Sequence, residues 1–174
     1  LAIKVDGATK EDFAWGLRVG FITFANPTMG EPELEALEQK FVGAIRATVS
    51  NSSNLSQHLL LKVMEGGEYR EEKAKARNIL EERYRTIREW LDEKRPLHQN
   101  APLVPLPFNS GYFMSFECIG IDAETLRTRL LDRGIGTISI DGRYLRVAFA
   151  SVDKENLSEL FDEIYAAAEE LAQP

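Results

Sequence analysis

Cysteine and histidine are almost missing from this sequence: its 174 residues include one cysteine, Cys118, and two histidines, His58 and His98. A single thiol excludes an internal disulfide framework and any cysteine-rich zinc site. Neither histidine has an acidic or cysteine neighbour at metal-ligand spacing, so no metal is expected. A basic excess is lacking too. With 21 Lys and Arg against 28 Asp and Glu, the net charge is −7, which argues against a surface that neutralises phosphate backbones and hence against a nucleic-acid partner. No apolar run approaches the roughly 20 residues that a membrane-spanning helix needs. Neither GxxxxGK[ST] nor a complete GxGxxG occurs, since Gly134-Ile-Gly136 lacks its third glycine. The expectation is a reduced, acidic protein of the cytoplasm.

What is present is a core-forming composition. Hydrophobic residues make up 44%, including nine Phe, five Tyr and two Trp, too many for a disordered chain. The length suits one domain, or one compact domain carrying a piece of another. The sequence opens at Leu1 without an initiator Met, and Leu1 to Val5 already reads as a strand. The expectation is a part of a longer polypeptide.

Leu17 to Phe24 is a second strand-length run, apolar on both faces after Arg18, as expected inside an α/β sheet. Asp6 to Gly16 between them reads as a loop. A helix is predicted from near Pro32, with Leu34, Leu37, Phe41, Ile45 and Val49 as one stripe toward a core. Asn51-Ser-Ser-Asn54 breaks it, and Leu55 to Met64 forms a shorter helix ended by Gly66-Gly67. Glu68 to Lys94 reads as one long charged helix, on the order of 40 Å. Its stripe is Tyr69, Ala76, Leu80, Tyr84, Ile87 and Leu91, and its exposed face carries the i,i+4 pairs Glu71/Lys75 and Glu81/Arg85. Pro96 and the Pro102, Pro105, Pro107 cluster predict an extended connector.

The last third reads β-α-β-β-α. Gly111 to Cys118 is a strand, and Asp122 caps a helix that carries Leu126 and Leu130 and stops at Gly134. Thr137 to Ile140 and Arg143 to Phe149 form a hairpin about Asp141-Gly142. A final helix turns Leu157, Leu160, Ile164, Ala168 and Leu171 inward. The predicted seam is Gly66-Gly67, dividing residues 1–66 from residues 67–174.

His58 reads as a packed or capping histidine, and Cys118 as a buried small hydrophobe. Lys10 stands apart. It follows a strand in a glycine-flanked loop, and Arg18 follows within Gly16-Leu-Arg-Val-Gly20. A lone loop lysine is ordinarily solvated; a lysine amine with an arginine fork beside it can condense with an aldehyde and hold a phosphate.

These residues carry a resemblance. Asp6-Gly-Ala-Thr-Lys10 followed by Trp15-Gly-Leu-Arg-Val-Gly20 resembles the lysine segment of the class I/II, fold-type I pyridoxal-phosphate aminotransferases, whose usual pattern is Ser-x-Ser-Lys and then Gly-x-Arg-x-Gly. Asn109-Ser-Gly-Tyr-Phe113 is similar to the family's Pro-x-Gly-Gly-Phe strand entry, and Tyr144-Leu-Arg-Val-Ala-Phe149 to its late Leu-Arg strand. All three stand in the family's order, and together they correspond to the C-terminal part of a member.

The resemblance implies an α/β fold. Residues 1–66 would be the tail of the large cofactor domain, and residues 67–174 an α+β small domain led by the long interdomain helix. It implies pyridoxal 5'-phosphate as cofactor, with Lys10 forming the internal Schiff base and moving a proton. Arg18 would bind the phosphate; where the family has a serine hydroxyl, Gly7 stands here, so that contact would come from the Thr9 hydroxyl or from backbone N–H groups. Arg146 would clamp the carboxylate of an amino acid or 2-oxo acid substrate. Leu145, Val147 and Phe149 share one strand face, so Arg146 faces the other way. A homodimer is implied as well. Three other readings stay open: a lyase of the same fold, a cofactor-sensing domain of a transcription regulator, and a structural fragment with Lys10 solvated.

Overall fold

The computed structural model describes residues 1–94 and 100–173; Pro96 and His98 lie outside the described residues. The chain forms two compact units, Leu1–Ala76 and Arg77–Pro174.

The first unit opens with β1 (Ala2–Gly7), one helical turn α1 (Ala8–Glu11) and a 3-10 turn at Trp15–Leu17, then β2 (Gly20–Ala25). β1 and β2 pair antiparallel from Ala2↔Ala25 to Gly7↔Gly20. This corrects one expectation: Leu17 to Phe24 is not one strand, because Leu17 ends the 3-10 turn and Arg18 turns left-handed before β2 begins. Among the described residues the two strands pair only with each other, and Ile3, Val5, Phe21 and Ile22 are exposed.

Helix α2 (Glu31–Thr48) begins with a proline in its first turn, where the missing N–H costs nothing, and α3 (Asn54–Met64) follows. Ser53 caps α3 by accepting from the Ser56 N–H at 3.2 Å. The predicted stripe of α2 faces no core, since none of its residues is buried. Leu34, Phe41 and Ile45 instead line a groove against Ile22 and Phe24, where the Phe24 and Phe41 rings lie 4.7 Å apart. The small core of this unit is Ala8, Val19 and Leu60, flanked by Ala14, Leu17 and Met64. His58 is exposed rather than packed, its Nδ1 lying 3.0 Å from the Asn54 carbonyl oxygen one turn back.

The boundary between the units falls within helix α4 (Tyr69–Lys94). Both predicted pairs on its exposed face form, Lys75–Glu71 at 2.7 Å and Arg85–Glu81 at 2.6 Å.

The second unit is built on a four-stranded antiparallel sheet in the order β3-β4-β6-β5, from β3 (Leu103–Pro105), β4 (Met114–Cys118), β5 (Ile138–Ile140) and β6 (Tyr144–Val147). The predicted connector thus contains a strand, and the strand expected from Gly111 begins only at Met114. Helix α5 (Ala123–Asp132) starts where expected, Asp122 accepting from the Thr125 N–H at 2.8 Å. Asp141 and Gly142 both have positive φ, 51° and 64°, but the pairing Ile140↔Tyr144 leaves three residues, 141–143, in the hairpin loop where two were expected. Helix α6 (Leu157–Ala172) closes the unit.

One face of this sheet is apolar, with Met114, Phe116, Cys118, Leu145 and Val147 all buried. Leu126 and Leu130 of α5, Phe161 and Ile164 of α6, and Ile87, Trp90 and Leu91 of α4 complete that core. Phe116 packs at 6.0 Å from Phe161 and edge-on at 5.7 Å from Tyr165. Each such side chain contributes about 1.5–3 kcal/mol through burial, and the opposite face of the sheet is left for other work.

Candidate active site

The residues singled out by sequence fall into two groups, one in each unit. In the first, the Gly7↔Gly20 pair closes the connection that carries Thr9, Lys10 and Arg18. Ala8, fully buried, anchors it: its N–H donates to the Val19 carbonyl at 3.1 Å, and its own carbonyl accepts from Asp12 at 3.2 Å and Ala14 at 3.0 Å. Lys10 therefore sits on a helical turn rather than in an open loop, and its side chain is exposed. Thr9 is half-buried beside it.

Arg18 follows the 3-10 turn in a left-handed conformation, φ 54° and ψ 45°. A non-glycine residue held there is strained, a state that concentrates at ligand clamps. One arm of its guanidinium donates to the Trp15 carbonyl at 3.3 Å, and the residue is exposed.

Sequence reasoning missed the cluster behind this turn. Asp12 Oδ1 accepts from the Tyr69 hydroxyl and, at 2.9 Å, from Lys73 Nζ. These groups line a cleft of about 350 Å³ with Phe13, Leu17, Leu60 and Val63. Burial alone would raise the Asp12 pKa; the hydrogen bonds from Tyr69 and Lys73 and the lysine charge outweigh it and hold the carboxyl below its ordinary value. Tyr69 and Lys73 stand one turn apart in the sequence, but nothing local marks Asp12 as their partner.

In the second unit, Arg146 lies on β6, an inner strand, between Ser115 of β4 and Ile138 of β5. Leu145, Val147 and Phe149 are buried on the core face, and Arg146 projects from the other, as the alternation requires. Its guanidinium lies 4.8 Å from the centre of the Phe113 ring, and its Nε is buried without a hydrogen-bond partner. A buried, unanswered N–H beside a guanidinium fork is a place for an acceptor. Cys118 is buried, and burial chiefly pushes its thiol up to about 11, so no thiolate nucleophile forms there. Among the described residues no cluster of His, Cys, Asp or Glu could hold a metal ion, and no helix is long and apolar enough to cross a membrane.

The first group fits the cofactor that the resemblance implies. A primary amine suits its aldehyde, and a guanidinium and a hydroxyl on the same short connection suit its phosphate.

The sequence model of the family described as aminotransferase class I and II matches residues 5–164, a span that includes Lys10, Arg18 and Arg146. No curated protein matches the chain. Solved structures with the same fold include the α-aminoadipate aminotransferase LysN of Thermus thermophilus, complexed with N-(5'-phosphopyridoxyl)-L-leucine, at 24% identity and a TM-score of 0.74. That comparison covers 97% of this chain and 42% of LysN. An aminotransferase of Anaerococcus prevotii is 22% identical with a TM-score of 0.74, over 98% of this chain and 39% of its own. The kynurenine aminotransferase of Pyrococcus horikoshii is 18% identical with a TM-score of 0.75, over 99% and 41%. The chain thus spans about two fifths of the length of the structures it matches. It belongs to the class I and II aminotransferase family.

Proposed function

We propose that this chain is the C-terminal part of a pyridoxal-phosphate-dependent aminotransferase that moves an amino group between an L-amino acid and a 2-oxo acid. Residues 1–66 form the tail of the cofactor domain, and residues 67–174 the small domain led by α4. The observation that carries the reading is the connection closed by Gly7 and Gly20, which presents an amine, a hydroxyl and a guanidinium from one buried anchor at Ala8.

In this reading Lys10 holds the cofactor through its ε-amine, while Arg18, with Thr9, holds the phosphate. The cofactor, when bound, supplies the electron sink for negative charge at the substrate α-carbon. Lys10 moves the proton at that carbon, acting as base and then as acid through its amine. Arg146 receives the substrate carboxylate on its fork and fixes the orientation of the α-carbon, with Phe113 holding the plane of the guanidinium. The resemblance supports a homodimer, and the acidic composition with its single cysteine supports the cytoplasm.

The test uses the full-length protein that carries this chain. Supplied with pyridoxal 5'-phosphate, an L-amino acid and a 2-oxo acid, it is expected to yield the exchanged pair in equal amounts. Release of ammonia with no new amino acid would instead assign a lyase of the same fold, and cofactor binding with no turnover would assign a sensing domain.

A further inference from the structure

Asp12 immediately follows the single turn that carries Lys10, and it is tied in two ways. Its N–H donates back to the Ala8 carbonyl at 3.2 Å. Its carboxylate accepts from the Tyr69 hydroxyl and from Lys73 Nζ at 2.9 Å, and those two donors lie 3.3 Å from each other. The Asp12 side chain is only 8% exposed. A carboxylate so placed holds its position, because leaving either donor strands a charge away from water. Its pKa is held below the ordinary value, so the charge is present at neutral pH.

The backbone that leaves Asp12 is not relaxed. Phe13 and Arg18 both stand in the left-handed region, φ 55° and 54°, where a bulky side chain persists only if its surroundings over-determine the path. The segment between these residues is held at one end by the Asp12 carboxylate and at the other by the Ala8–Val19 hydrogen bond. Helix α4 supplies the fixed element, since Tyr69 and Lys73 are one turn apart on it.

We propose that Asp12, clamped by Tyr69 and Lys73, is a positioning residue that fixes the 8–18 turn so that Lys10 and Arg18 meet the cofactor in one arrangement. The inference rests on the reading that Lys10 and Arg18 hold that cofactor. Its physical content is preorganisation: a turn already locked loses little freedom when the ligand arrives, so affinity rises without any direct contact from Asp12.

The experiment uses the full-length protein and pyridoxal 5'-phosphate itself. Three quantities are measured in the wild type and in Tyr69→Phe, Asp12→Asn and Lys73→Arg. They are the cofactor dissociation constant by absorbance titration, the yield of borohydride-fixed label on Lys10, and the melting temperature of the cofactor-free protein. Asp12→Asn is expected to weaken cofactor binding about tenfold and Tyr69→Phe about fivefold, with less label on Lys10. The double variant Asp12→Asn/Tyr69→Phe is expected to be no weaker than Asp12→Asn alone, because both remove one link. Lys73→Arg keeps a donor and is expected to stay near wild type. Unchanged affinity in Asp12→Asn and Tyr69→Phe, with the label still on Lys10, would overturn the inference and leave the cofactor reading standing. Weakened binding only in variants whose cofactor-free protein is already partly unfolded would overturn it too. Wild-type label on a different lysine would overturn the reading itself, and the inference with it.

Discussion

The guanidinium of Arg146 lies against the ring of Phe113, 4.8 Å from its centre, and both residues belong to the second unit. The cation sits over that ring, and its Nε has no acceptor. A guanidinium fork short of one partner suits a carboxylate.

Replacement by lysine removes that geometry while keeping the charge. Arg146→Lys in the full-length protein is expected to weaken substrate capture by about 2 kcal/mol, the scale of a hydrogen bond to a charged group. The cofactor absorbance spectrum should be unchanged, because Arg146 is assigned to the substrate alone. Steady-state kinetics with an amino acid donor measure it, and unaltered kcat/KM would return Arg146 to an ordinary position on the sheet.

The two units differ in what a core substitution should do. Leu126, fully buried beneath the four-stranded sheet, is expected to cost about 2–5 kcal/mol when truncated to Ala. Val49 at the end of α2 is 67% exposed, and Val49→Ser should leave stability within about 0.5 kcal/mol of wild type. Denaturant unfolding of the two variants checks the contrast. Equal effects would mean that the α2 stripe is covered after all.

This contrast also marks where the sequence was legible. The α5, hairpin and α6 segment could be read because its signals are local: the Asp122 cap, Gly134 at φ 80°, and the positive-φ pair Asp141-Gly142. β3 escaped notice because Pro105 closes a three-residue strand whose pairing with β4 is set by tertiary contacts. The periodicity of α2 established an apolar face, but periodicity does not say what covers that face. Lys10, Arg18 and Arg146 were singled out through motifs. Asp12 was not, because its partner Tyr69 is 57 positions away and no local pattern joins them.

Acid should weaken the second unit through Asp122. Its carboxyl accepts from the Thr125 N–H and hydroxyl, which hold its pKa below the ordinary carboxylate value. The folded state thus binds its proton less readily than the unfolded one. The stabilisation is complete above about pH 4 and is lost as the pH falls through the lowered folded value. Asn also caps a helix but does not titrate. Asp122→Asn should therefore lie near wild type at neutral pH and show a shallower acid limb, as measured by thermal melts from pH 7 to pH 2.5. An identical limb would remove Asp122 as a cause.

Residues 1–174 alone are expected to show no transamination. Lys10 is exposed, and the adjoining strands leave Ile3 at 54% and Val5 at 76% exposure. The first unit thus provides no water-excluding cleft around the amine. Apolar strands left open in this way tend to pair between chains, so sedimentation should find association. An assay of this chain with cofactor, amino acid and 2-oxo acid decides the matter, and ordinary enzymatic turnover would place the active site elsewhere.

The central claim is that Lys10 carries the cofactor, and peptide mapping tests it most directly. The full-length protein is loaded with pyridoxal 5'-phosphate, reduced with borohydride, digested and sequenced by mass spectrometry. The pyridoxyl group is expected on the peptide that contains Lys10 and on no other. Label on Lys4 or Lys73, or label spread evenly over the surface lysines, would contradict it.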